Sequence, residues 1–411
     1  MYKSSTFKFA SIKKLLYTSI FLFLLLGVNN SFAANRYSVA TGNWNSTSTW
    51  SAISGGASGA TVPVAGDLVT VEGGFIVTVN ANTASLGSLT ISSGSSLNVS
   101  SNFTVSSTTI TINGTYINNS TGTITGTISV NASGTYQHNI NGGTIPTATW
   151  DPASTCNVTG ITSTTPTGFN QSFGNFIWNS NSSDIVSTDG DMIVQGNFTL
   201  SQGIFALSNG LTRNLFIAGN YIQTGGIFDF NRAGTTNLNK MYIAGDLTNT
   251  LATTPTNGSI TTLGAGAQNG EIIFNGSGIQ TVNFTKTDAA QWISYTIDAS
   301  SNIKLASSIQ LIGDNSSSIY YANFTVNGIL DAGNFSISYL SGGTGATLFT
   351  LSSGATLITA NTGGIDGSIP TSNMTRTFSA GANYTYDGTS AQVTGASLTQ
   401  NNPRGVTISN S

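Results

Sequence analysis

The chain has 411 residues, among them 48 Gly, one Cys and one His, and only 7% of its side chains are charged, against about 25% in an ordinary globular chain. Long amphipathic helices need charged wet faces, whereas this sequence is rich in Ser, Thr, Asn and Gly, so an all-β fold is the expectation. A lone Cys156 excludes a disulfide scaffold and, beside a lone His138, a His/Cys metal centre; a net charge of −3 without any Lys/Arg run excludes nucleic acid as a partner.

The first 33 residues carry the marks of an export signal. Lys3, Lys8, Lys13 and Lys14 precede an apolar stretch from Leu15 to Val28, and Ser31-Phe32-Ala33 supplies small residues at −3 and −1. The stretch is shorter than the roughly 18 to 20 residues that span hydrocarbon. Cleavage after Ala33 removes those lysines and leaves 8 cations against 15 anions, about −7. The mature chain, without a second apolar span, is expected outside the cytoplasm, secreted or on the outer cell surface.

Residues 34–80 contain Trp44, Trp50, Asp67 and Glu72 in an irregular stretch. A solenoid end must be covered, so this segment is expected to cap the first coil, with the two Trp over the bore. A weaker alternative has Trp44 and Trp50 stacking on carbohydrate.

From residue 81 to 411 the chain reads as a ladder of strands three to five residues long. Leu89-Thr-Ile91, Leu97-Asn-Val99, Phe103-Thr-Val105, Ile110-Thr-Ile112 and Ile124-Thr-Gly-Thr-Ile128 alternate apolar and polar residues between Ser-Gly, Asn-Gly and Thr-Gly turns. A small residue, then Asn or Asp, then an aromatic or Leu, usually followed by Thr, recurs at Asn102, Asn197, Asn220, Asp246, Asn323 and Asn383. The spacings of 23 and 26 residues between Asn197, Asn220 and Asp246 are one-rung distances. They predict a right-handed parallel β-helix with Ile, Val, Leu and Phe inward. Asn at the corners tolerates left-handed φ and bonds to the rung above, a turn ladder rather than a ligand ladder. Pro146, Pro152 and Pro166 interrupt the repeat between residues 140 and 175.

Gly42-Asn-Trp-Asn-Ser-Thr-Ser-Thr-Trp50, Val62-Pro63, Gly66-Asp67-Leu-Val-Thr-Val71 and Val77-Thr-Val79-Asn80 resemble the opening of exported Bacteroidetes surface proteins and are loosely similar to the G8 domain. Glu271 to Val282 and Thr377 to Gly388, continuing to Gly395, resemble the β-helical repeats of the same proteins. The resemblance implies an adhesin-like substrate of the type IX, gliding-associated secretion system, with the secretion machinery and extracellular glycans as partners. Such proteins usually end in a sorting domain. Nothing after Thr375 looks like one, and Gly405-Val-Thr-Ile reads as the start of another rung, so the repeats are expected to continue beyond the given chain.

Catalytic patterns are sparse. The tight acidic group Asp184, Asp189 and Asp191 offers hard oxygens for calcium, the one cofactor the sequence suggests, although Asp189-Gly190-Asp191 is also an ordinary turn. His138 has no local Ser or Cys partner and is expected at the surface or in a turn; Cys156 is expected to be packed. The leading reading is therefore a non-enzymatic stalk or binding segment. A polysaccharide-degrading β-helix enzyme, a lyase or glycoside hydrolase, is the alternative, and an ice-binding protein the second. Thr109-Ile-Thr111, Thr121-Gly-Thr123 and Thr125-Gly-Thr127 suggest ice, but their sequence positions keep no common register, which predicts no thermal hysteresis.

Overall fold

The computed structural model describes residues 33–181, 187–233, 237–253, 258–262, 270–313, 322–340, 347–372, 374–400 and 403–410. The export signal lies almost wholly outside the described residues, as does Asp184.

Short alternating segments become parallel strands because no single one can bury its apolar face; each does so by lying on the equivalent strand of the next coil. A sixteen-stranded sheet runs from Gly42–Asn43 to Gly405–Ile408 with every described pairing parallel. A second wall comes in two lengths, a seven-stranded sheet ending in Thr149–Trp150 and a nine-stranded sheet beginning at Ser172–Phe173. A third wall carries Ile204–Ala206, Ile227–Asp229 and Ile260–Thr261, then Ile309–Leu311 against Ile337–Tyr339. The parallel β-helix expected from the alternation is therefore the fold. The proline-interrupted stretch stays in the stack, since Thr144 bridges Thr167 and Thr155–Val158 keeps its place in the long sheet.

Registers resolve the interior into columns. One column of the long sheet reads Tyr116, Tyr136, Cys156, Phe176, Phe198, Tyr221. Rings on successive coils stack where they meet, with centroids 5.7 Å apart for Phe176 on Phe198 and for Phe198 on Tyr221. Phe205 and Phe228 from the third wall meet Phe198 edge-on. The aromatic plug so formed is buried on all sides, and Cys156 is buried as expected.

The neighbouring inward column contains polar pairs, Asn118 above His138 and Gln223 above Asn249. Each sits where the chain leaves the strand and turns, and its side chain replaces the missing ladder partners. Gln223 Nε2 donates to the Ser259 carbonyl at 2.9 Å and Gln223 Oε1 accepts from Tyr221 Oη and Asn249 Nδ2. His138 is thus not at the surface. The alternation carries it inward on Thr135–His138, where Nε2 lies 2.7 Å from the Gly142 carbonyl and Nδ1 3.4 Å from Tyr136 Oη.

The Asn/Asp corners form a ladder of a specific kind. Asn197 Oδ1 accepts from the Asn220 backbone N–H, Asn220 Oδ1 from Asp246, and Asp246 Oδ1 from Thr281. Only the acceptor oxygen is used, so Asp serves as well as Asn at 246. Left-handed φ is the reason at the Asn102 corner, with φ of +65°, but not at Asn197, Asn220 or Asp246: among the described residues only Asn102 and Trp292 combine a side chain with positive φ. Gly226 does need it, with φ of +70° and no room for a Cβ against the Gly203 carbonyl.

At the amino-terminal end, Asn35–Ser38 lies parallel on Leu68–Val71 and Trp50–Ser51 returns antiparallel along its outer edge. Trp44 and Trp50 are 3% and 0% exposed, in edge-to-face contact at 5.0 Å, and Trp50 Nε1 donates to the Trp44 carbonyl. Asp67 ties the segment down by accepting from Ala34 and Val64 backbone N–H groups. The first full coil, Leu68–Val71 with Ile76–Val79, falls inside residues 34–80 rather than after them.

The outward threonines do keep register. On the seven-stranded sheet one column reads Thr70, Thr90, Thr111, Ser129, Thr149. A second reads Ser88, Thr109, Thr127. The sequence hides this because Ser replaces Thr at some rungs and because a bulge of Ser107 and Thr108 opposite Gly126, whose φ is +135°, shifts the count by one residue.

Two outcomes are expected for the core. Phe198→Ala removes a ring held on four sides and should destabilise the stack by about 3–5 kcal/mol, read from urea denaturation. Burial holds the His138 imidazole below its ordinary pKa, so the folded state keeps it neutral while the unfolded chain binds a proton below about pH 6.5. Stability is therefore full above that pH and falls as pH drops through it. The denaturation midpoint should decrease between pH 7.5 and 5.5, and His138→Gln should flatten that dependence.

Candidate functional site on the outer face of the nine-stranded sheet

The strands Asn214–Ile217 and Lys240–Ile243 alternate strictly, placing Leu215, Ile217, Met241 and Ile243 in the core. The same alternation turns Phe216 and Tyr242 outward. They are register partners and their rings stack at 4.8 Å and 13°. Ile193, the partner of Phe216 one coil earlier, is 43% exposed. Ile193, Phe216 and Tyr242 therefore form an apolar ladder in solvent, beside a surface groove of about 460 Å³ whose walls include Pro152, Ala218, Ala244 and Asn275. Ala at 218 and 244 leaves the ring edges uncovered.

Polar groups adjoin the ladder. Lys240 Nζ lies 3.0 Å from Glu271 Oε2, and Thr296 Oγ1 donates to Glu271 Oε1 at 2.7 Å. The bond to Glu271 raises the Lys240 pKa above its usual value. Beyond Glu271 a second hollow of about 210 Å³ is lined by Ser294, Thr296, Asn323 and Thr325. From there the ladder column continues as Thr296, Thr325, Thr350, Thr377. The face thus offers the edges of two stacked rings next to hydroxyls, an amide and an ion pair, a combination suited to a ligand with apolar and hydroxylated parts.

The sequence-predicted positions fall elsewhere. Trp44 and Trp50 turn both rings into the core, so carbohydrate stacking by them is corrected to capping: neither face is open to a sugar. Asp189 and Asp191 bind protein. Asp189 accepts from the backbone N–H groups of Gly168, Phe169 and Asn170, at 2.7, 2.8 and 3.2 Å. Asp191 accepts from the Asn214 backbone and side chain. Their partners lie about one rung away, in opposite directions, so adjacency in sequence does not make them one ligand cluster. Among the described residues no group of three His, Cys, Asp or Glu side chains is arranged to hold a metal ion.

Another charged group stands on the outside of the long sheet. Asp331 is the register partner of Lys304, and burial pushes its carboxyl above the ordinary value. Its Oδ1 accepts from the Gly333 backbone N–H at 3.0 Å, which gives this acid a structural task.

Sequence reasoning missed Phe216 and Tyr242. Their signal was present in Asn214-Leu-Phe-Ile and Lys240-Met-Tyr-Ile, where a polar first residue fixes the outward parity. Comparison with known proteins returns no match, whether to a family profile, a curated protein or a solved structure.

Asp189→Ala leaves three backbone N–H groups without their acceptor and should cost about 1–3 kcal/mol, measured by denaturation. Melting curves with calcium and with a chelator test the Asp184, Asp189 and Asp191 site, of which Asp184 lies outside the described residues: unchanged curves are expected if Asp189 and Asp191 serve only their N–H donors, and a calcium-dependent rise lost in Asp191→Asn would assign them to a metal.

Proposed function

We propose that the chain is a non-enzymatic, exported β-helical segment of an adhesin-like surface protein, and that it binds neutral glycans along the outer face of its nine-stranded sheet. The observation that carries this reading is the solvent-facing stack of Phe216 on Tyr242, continued by Ile193, next to a hydroxyl- and amide-lined hollow. Sugar rings present apolar C–H faces with equatorial hydroxyls at the rim; the uncovered edges of the Phe216–Tyr242 pair and the Ile193 side chain offer an apolar strip for the first, and the polar hollow offers partners for the second. Sparse charge favours uncharged polymers over ionic ligands. A stiff stack that repeats similar contacts from coil to coil gains through multivalency what each contact lacks in strength.

The non-enzymatic part rests on the lining. Glu271 is the one carboxylate among the described residues of the two hollows, and it is engaged by Lys240 and Thr296, leaving no second acid for the paired-carboxylate chemistry of glycoside hydrolysis. Export and delivery by the type IX machinery follow from the resemblance of the repeats and from the amino-terminal signal pattern. Immunoblots of surface and medium fractions test that part independently of binding.

Affinity electrophoresis of the full chain through gels containing neutral polysaccharides, namely mannan, xyloglucan, β-glucan and starch, tests the binding. At least one should retard the protein. Phe216→Ala and Tyr242→Ala should each weaken retention up to about tenfold, as loss of a stacking contact worth roughly 0.5–1.5 kcal/mol implies. Equal mobility with and without every polymer, or retention untouched by the double variant, would sink the proposal.

A further inference from the structure

The seven-stranded sheet presents a different surface, made of hydroxyls. Its two outward columns run side by side through three consecutive coils as Ser88 and Thr90, Thr109 and Thr111, Thr127 and Ser129. Neighbouring coils of a parallel stack are about 4.8 Å apart, and outward positions on one strand are separated by two residues, about 6.6 Å. The hydroxyls therefore occupy a two-dimensional lattice rather than a scatter. Two further facts mark this lattice. None of its positions carries a charge, although charged side chains flank the ladder on the nine-stranded sheet. The adjoining hydroxyls are also tethered from coil to coil: Ser106 Oγ lies 3.2 Å from Ser85 Oγ and 3.0 Å from Thr125 Oγ1, which holds them at the coil spacing. Opposite Gly126 the Val105–Ile112 strand carries one extra residue, Ser107 and Thr108 facing a single position, and the columns resume in register at Thr109 and Thr127.

We propose that this face binds ice. An ice surface is a rigid planar array of water oxygens, and its ligand must offer hydrogen-bonding groups at fixed repeats in two directions. It must also lack charges, whose own tightly held hydration shells do not fit a crystal lattice. Thr meets both needs, since its hydroxyl completes the lattice while its methyl excludes loosely bound water. Crystalline polysaccharide is the less suitable occupant, because no ring stands in the two columns through these three coils, the one outward ring of the Thr90 column, Tyr37, lying two coils before Thr90, whereas the ladder on the nine-stranded sheet has two adjacent rings. The inference stands apart from the glycan reading, as it uses another sheet and other residues.

Freezing-point hysteresis and inhibition of ice recrystallisation, measured on the full chain, provide the test. The native protein should show both. The double variant Thr109→Lys/Thr127→Lys, at two exposed positions, should lose at least tenfold of the activity, and Thr109→Ala/Thr127→Ala should lose part of it. Thr248→Lys, on the long sheet, should retain it. Melting curves establish that each variant is folded. Absence of both effects in the native chain, equal activity in the lysine double variant, or adsorption to crystalline cellulose with no effect on ice would each overturn the proposal.

Discussion

Everything in this molecule depends on one repeated contact, the parallel hydrogen-bonded stacking of one coil on the next. Because that contact is directional, a residue at a given point of a coil has the same neighbours above and below as its equivalents. Three consequences follow from it. Inward positions become columns of touching side chains, corner positions become ladders, and outward positions become lines of like groups. The stack of Phe176, Phe198 and Tyr221, the Asn197–Asn220–Asp246 chain and the Thr70 column are the same geometric fact seen at three places on the coil.

The polar residues inside the bore follow from the same contact. Parallel pairing satisfies the backbone along the strand but not where the chain swings away from it. There Asn118, His138, Gln223 and Asn249 stand in for missing backbone partners and are themselves satisfied by carbonyls and hydroxyls. A polar group buried without such partners would cost several kcal/mol, so these positions tolerate substitution poorly. The lone histidine is held by the coil's own groups, the Gly142 carbonyl and the Tyr136 hydroxyl.

Much of the fold was legible because period-two alternation and the spacing of Asn197, Asn220 and Asp246 report strand and rung length directly. What the sequence concealed were relations across rungs. Asp189 and Asp191 look like a pair in sequence, yet their contacts lie about a rung away at residues 168–170 and at Asn214. The threonine columns were hidden by Ser substitutions and by one bulge residue. Phe216 and Tyr242 were hidden because aromatic side chains elsewhere in this chain fill the bore; only parity within their own strands, set by Leu215 and Met241, places them outside. In each case the deciding quantity is register, which a single sequence carries only through counting.

The outward positions carry the least structural constraint, so they are where the chemistry of the surface is free to vary. Inside the bore, a change of side-chain volume disturbs the coils above and below. Outside, the scaffold asks only for good strand formers, and Thr, Ile, Phe and Tyr all qualify. The second wall can therefore pass from hydroxyls on the seven-stranded sheet to Ile193, Phe216 and Tyr242, and back to Thr296 and Thr325, without altering the fold. The break at Trp150 and Ser172 divides that wall into two sheets, so each surface is continuous within its own sheet. One scaffold thus presents two chemically distinct outward strips, because the stacking that aligns each strip is indifferent to what the strip displays.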